Sequence, residues 1–254
     1  VYKRQGQLQQ AHLFLAEALD LLRQLGDQQG IANTLKSLGN LAGEQGQPEQ
    51  ARQLYEEALA LFRQLGDQRG IAFTQHNLGI QAREQGQPEQ ARLLYEEALA
   101  ILRKLGDGRS SATVLNNLGN LARHQGEPEQ ARQFLEEALT IQRQLENRRG
   151  FAFALLNLGN LAADQGQFEQ ADRLLNEALA IHRDLHARRD VAITLQTLGI
   201  MARQRRQFEQ ALTYFNESLA IFHDLQDQRQ SALTRRELGT LAREQGQPEQ
   251  AHQL

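Results

Sequence analysis

The chain contains no cysteine and no tryptophan, and only four prolines. Without cysteine there is neither a disulfide scaffold nor thiolate chemistry. Aromatic residues make up 6% of the 254 positions, too few to fill a single thick core, so a thin and repetitive architecture fits better. Neither sign of charge dominates. With 28 Lys and Arg against 31 Asp and Glu the formal net charge is -3, which disfavours nucleic acid and an anionic membrane surface as partners. The longest apolar run, Phe151 to Leu156, is far short of the ~20 residues of a membrane span. No secretion signal is present, and a cytoplasmic location is expected, although a chain that opens on Val leaves a removed leader open. Lysine occurs only at Lys3, Lys36 and Lys104, so arginine supplies nearly all the basic charge.

What the chain does have is a period. Leu-Gly pairs stand at Leu38-Gly39, Leu78-Gly79, Leu118-Gly119, Leu158-Gly159, Leu198-Gly199 and Leu238-Gly239, 40 residues apart each time. Around them run alanine columns: Ala42 to Ala242, Ala51 to Ala251, and Ala58 to Ala178 followed by Ser218. Residues 44–60 and 84–100 differ only at Gln53 against Leu93.

Each unit reads as two helices. Ile31, Leu35, Leu38, Leu41 and Ala42 share one face of a helix over about 29–45, and Ala51, Leu54, Tyr55, Ala58, Leu59 and Phe62 share one face of a second over 48–65. Gly46 and its counterparts, Gly6 included, are expected to close the first helix left-handed, with Pro48, Pro88, Pro128 and Pro248 opening the second. Gly66-Asp67 closes the second helix, and the carboxylate is placed to cap the next. The Leu-Gly glycines are expected to form a seam where helix backbones approach closely opposite the alanine columns. Neither helix buries its apolar face alone, so neighbouring units must stack into an all-α solenoid.

The pattern Leu35-x2-Leu38-Gly39-x2-Ala42, then Ala51-x3-Tyr55-x2-Ala58, resembles the tetratricopeptide repeat over nearly the whole chain. Leu35 replaces the family's frequent Trp and Ala42 its Tyr, and the period is 40 where the family has about 34. The extra residues are expected to lengthen the second helix. This long form is similar to the arrays of GoLoco-binding spindle adaptors, kinesin light chains and bacterial signalling proteins. The resemblance implies a right-handed superhelix of antiparallel helix pairs, whose first helices line a concave groove that takes an extended peptide. The expected organisation is one array over 1–254, with units at about 29–68, 69–108, 109–148, 149–188 and 189–228 and partial units at 1–28 and 229–254. Both ends break the frame, so a fragment of a longer array is expected, and residues 1–5 need not be native.

Candidate chemistry is sparse. Among seven histidines only His182 and His186 have i, i+4 spacing, and without a third ligand they read as a surface pair near a helix end. The acidic pairs Glu56-Glu57, Glu96-Glu97 and Glu136-Glu137 point about 100° apart and read as a solvated outer face. No phosphate-cradling glycine loop and no nucleophile set beside a base is present, so neither an enzyme nor a cofactor or metal site is expected.

The candidate binding face lies on the first helices, opposite their core. Asn77, Asn117, Asn120, Asn157 and Asn160 recur there although Asn is a poor helix-interior residue, costing about 0.5 kcal/mol against Ala. An Asn amide can donate to a carbonyl and accept from an N–H of one extended strand. The same amides could instead bond to neighbouring repeats or to water. Arg83 and Arg123 are expected to pair with ligand carboxylates, and Phe153, Leu156, Ile193 and Ile200 to form an apolar stretch for anchor side chains. Three functions remain open: a non-catalytic scaffold for an extended peptide or disordered protein segment, a ligand-sensing regulatory region of a larger signalling protein, and end-to-end self-association.

Overall fold

The computed structural model describes residues 2–245, with side chains from residue 8 onward. Among them are twelve helices: α1 (Tyr2–Leu25), α2 (Gln28–Glu44), α3 (Pro48–Leu65), α4 (Gln68–Glu84), α5 (Pro88–Lys104), α6 (Gly108–His124), α7 (Pro128–Gln144), α8 (Arg148–Asp164), α9 (Phe168–Asp184), α10 (Arg188–Gln204), α11 (Phe208–Asp224) and α12 (Gln228–Glu244). They fall into two compact units, residues 1–125 and 126–254. In the first, α2 packs on α3 and α4 on α5; in the second, α8 packs on α9 and α10 on α11. The even-numbered helices are the first helix of each repeat and the odd-numbered ones the second.

The two helices of a repeat are equal, 17 residues each except for the 18 of α3. The long period is therefore shared between them, not added to the second. One helix plus one turn takes 20 residues, and every such turn carries a left-handed residue. Gly26, Gly46, Gly66, Gly86, Gly106, Gly126 and Gly166 hold φ between 68° and 76°. The remaining four positions are Glu146, His186, Arg206 and Gln226, with φ of 51° to 58°. All four lie in the second unit. Gly6 departs from the expectation, since α1 runs through it from Tyr2. Leu8 stands where the other turns have Pro or Phe. Gly246, Pro248 and Ala251 lie outside the described residues.

Asp67 caps α4 as expected, its Oδ1 accepting from the Gly70 N–H at 2.8 Å, and Asp27, Asp107, Asn147 and Asp227 do the same for their helices. Ala187 has no side chain to do so for α10.

Inside each unit the alanine columns are fully buried: Ala51, Ala91, Ala131, Ala171 and Ala211 expose nothing. Ser218, which ends the column of Ala58 to Ala178, donates its hydroxyl to the Ala192 carbonyl at 2.8 Å, which satisfies the one polar side-chain atom in that column. The glycine seam differs from expectation. A Cβ on Gly39 would lie 2.7 Å from the Tyr55 ring, on Gly79 2.6 Å from Tyr95, on Gly159 2.7 Å from Leu175 and on Gly199 2.6 Å from Phe215. Each of these glycines thus forms a hole for a large side chain of its partner helix, a ring at Gly39, Gly79 and Gly199 and a leucine at Gly159, where backbone contact against alanines was expected. The close approach is that of a side chain onto a backbone.

Candidate functional site

The face of the first helices carries the candidate residues, and in the first unit it is threaded by hydrogen bonds from helix to helix. The Tyr55 hydroxyl on α3 donates to Asn40 Oδ1 on α2 at 2.7 Å, and Asn77 Nδ2 on α4 donates to the same oxygen at 2.9 Å. One repeat later Asn117 Nδ2 on α6 donates to His76 Nε2 on α4 at 2.7 Å. That bond requires a bare Nε2. Burial, with the Arg83 charge adding to it, pushes His76 down to about 4 and keeps the ring neutral. Asn77 and Asn117 therefore bond to neighbouring repeats, as one of the two readings of these amides anticipated. Each uses one N–H in doing so.

Three cations line this face in the first unit. Lys36 Nζ sits over the Phe62 ring at 5.5 Å and the Phe73 ring at 5.9 Å, and burial holds its pKa below the usual lysine value. Arg83 is about one-third exposed and 3.9 Å from Glu84. Arg123 is half-buried, its guanidinium 3.3 Å from His124 Nε2, and Asn120 is half-buried on the same helix.

The second unit corrects two expectations. Leu156 is only 3% exposed and packs into the core with Leu155, Val191 and Leu195, because α10 covers it; it cannot serve as an exposed anchor contact. Asn157 is likewise buried, at 4% exposure. Phe153 is the most open apolar side chain of the set at 42%, while Ile193 and Ile200 are half-buried against the core clusters. Asn160 is half-buried. Arg203, the counterpart of Arg83, is taken up by Glu237 at 3.5 Å and Glu244 at 2.5 Å on α12.

The histidine reading is corrected as well. His182 is fully buried in the column that Phe62, Leu102 and Phe222 fill elsewhere. Its Nδ1 lies 3.1 Å from Thr194 Oγ1, whose own proton goes to the Asp190 carbonyl at 2.8 Å, so the ring must donate from Nδ1. His186 lies beyond the helix end at φ 52°, off the helical face that i, i+4 spacing assumed. Among the described residues no three potential metal ligands converge. The acidic pairs face solvent, except for the half-buried Glu137, and among the described residues no helix is long and apolar enough to cross a membrane.

Asn40 is not among the amides that the sequence singles out, and Tyr55 reads there as a residue of the apolar face alone. The signal was present, in that Tyr55 is the one buried ring whose Asn partner stands 15 positions earlier.

The tetratricopeptide repeat model matches residues 1–64, 30–104, 70–144, 150–224 and 190–254. Comparison with curated protein sequences finds no match. Several solved structures are similar. BtubC (BKLC) from P. vanneervenii has 23% identity and a TM-score of 0.71, covering 86% of this chain and 92% of that one. A Rap protein complexed with competence and sporulation factor has 14% identity and a TM-score of 0.69, covering 96% and 73%. A STAND ATPase with a tetratricopeptide repeat sensor from Pyrococcus horikoshii has 16% identity and a TM-score of 0.69, covering 88% of this chain and 34% of that one. With matches across its whole length and the fold to go with them, the chain belongs to the tetratricopeptide repeat family.

Proposed function

We propose that the protein is a non-catalytic scaffold of the cytoplasm, whose first-helix face binds an extended peptide or disordered segment of another protein. The observation that carries this reading is the row of half-exposed amides and cations on α2, α4 and α6, where Asn77 and Asn117 each spend one N–H on a neighbour and keep a side-chain carbonyl and a second N–H. In the first unit Asn77, Asn117 and Asn120 hold the ligand backbone, and Arg83 and Arg123 attract its carboxylates. On the first-helix face of the second unit, taken by itself, Asn160 offers an amide, and Phe153, Ile193 and Ile200 take an apolar side chain.

A peptide-array screen followed by titration tests this. Asn77→Ala with Arg83→Ala is expected to weaken the best binder at least about tenfold, for the loss of two or more hydrogen bonds at ~1 kcal/mol each. Glu56→Ala with Glu96→Ala, on the outer face, is expected to change nothing. Equal effects of the two pairs would move the site off the first helices. Concentration-dependent oligomers without any bound peptide would favour self-association instead.

A second reading, a sensory region of a larger signalling protein, is supported by the likeness to the repeat sensor of the STAND ATPase. An ATPase or DNA-binding domain encoded in the same reading frame would favour it.

A further inference from the structure

Asn40 Oδ1 accepts two hydrogen bonds, from Tyr55 and from Asn77, at 2.7 and 2.9 Å. A phenol has one proton to give, and the Tyr55 side chain is 3% exposed with Asn40 as its partner. If Asn40 were turned round, that proton would be buried without an acceptor, at a cost of about 1–3 kcal/mol. Burial, with Glu84 and Glu44 adding to it, raises the Tyr55 pKa to about 12, so the proton stays on the oxygen. Both lone pairs of Asn40 Oδ1 are thereby used inside the protein. Asn40 itself is exposed, and its Nδ2 group is left facing outward with two N–H donors.

We propose that Tyr55 is a positioning residue that locks the Asn40 amide as an outward donor, so that Asn40 and Asn77 together read the direction of a bound peptide backbone. The inference rests on the peptide-binding reading above. In an extended strand the N–H and C=O of one residue point to the same side, the N–H coming first. A ligand residue whose N–H meets Asn77 Oδ1 and whose carbonyl meets Asn40 Nδ2 therefore runs, N to C, from α4 toward α2. The lock occurs once among the described hairpins. Tyr95 faces a repeat with Ile80 in the place of Asn40, Asn160 stands with Leu175, and Ile200 with Phe215. Direction is thus set at the first hairpin.

The test uses the isotope-labelled chain and a short blocked peptide of alternating serine and threonine, which offers backbone amides without charge, spin-labelled at either end. Addition of the peptide should shift the Asn40 side-chain amide resonances. The label should broaden α2 from the C-terminal end of the peptide and α4 and α6 from the N-terminal end. Tyr55→Phe should alter the Asn40 amide resonances before any peptide is added and weaken binding about fivefold, with helical content unchanged by circular dichroism. Asn40→Asp keeps an oxygen for Tyr55 and Asn77 but removes the outward donors, and it should weaken binding with no loss of fold. Shifts on α4 and α6 that leave Asn40 unmoved, or broadening in the reverse order, would overturn the lock while the peptide reading stood. Wild-type affinity in both variants would overturn it equally. Silence across the whole first-helix face would remove both.

Discussion

Arg149 Nε donates to Asp190 Oδ2 at 2.8 Å, three residues past the position its counterparts use. Arg69 reaches the cap carboxylate Asp107 at 3.1 Å, and Arg189 reaches Asp227 at 3.1 Å. Ala187 occupies that cap position in the fifth repeat, so the inter-repeat bond is kept by moving the carboxylate while the cap itself is lost. Restoring the common pattern with Ala187→Asp and Asp190→Gly should stabilise the second unit by about 1 kcal/mol, read as a higher thermal midpoint. Asp190→Gly alone, which removes the partner of Arg149 without a cap in exchange, should lower it.

A methyl group has no room at the ring-facing glycines. With the new Cβ 2.6 Å from the Tyr95 ring, Gly79→Ala must push the ring or the helix aside, at a cost of about 1–3 kcal/mol against any gain in helix propensity. Urea unfolding of the variant measures it. A stabilised protein would mean that α4 and α5 separate freely.

The two buried tyrosines should respond differently to loss of the hydroxyl. Tyr55→Phe gives up the bond to Asn40 and should cost about 1 kcal/mol. The Tyr95 hydroxyl is buried without an acceptor, because Ile80 replaces asparagine, so Tyr95→Phe should be neutral or stabilising. Denaturation midpoints of the pair decide the matter.

Left-handed residues other than glycine cost about 1 kcal/mol each, and the second unit holds four of them. Arg206→Gly, at φ 58°, should raise the thermal midpoint, and Glu146→Gly and Gln226→Gly should act in the same direction. Unchanged midpoints in all three would mean that the side chains recover the strain through contacts of their own.

His182 makes stability depend on pH. Burial holds its pKa below the ordinary value, Arg149 adding to this and Asp190 opposing it, so the folded protein keeps the ring neutral. The unfolded chain takes up the proton first. The contribution is present in full above the unfolded value of about 6.5 and is lost as pH falls below it. His182→Phe, which installs the residue found at Phe62 and Phe222, should flatten this part of the curve of urea midpoint against pH. An unaltered slope would assign the dependence to His76.

The periodicity of the sequence determined most of the fold. Helices expected at about 29–45 and 48–65 occur at Gln28–Glu44 and Pro48–Leu65, because apolar spacing, a turn residue and a cap all act within one or two helical turns of each other. Local signals also placed Asp67 as a cap and Gly46 in the left-handed region. What they could not convey was which outward column the next repeat covers. Leu156 and Asn157 look like face residues on an isolated helix and become core once α10 packs beside them, and His182 passes from surface to interior for the same kind of reason. The glycine seam was legible as a close approach, but its partner, a ring held by α3 or α5, depends on how two helices interlock. Amide polarity on the first-helix face was settled across two helices and the next repeat. A tyrosine on one helix and an asparagine on the next repeat meet at a single oxygen, and only packing brings these three side chains together.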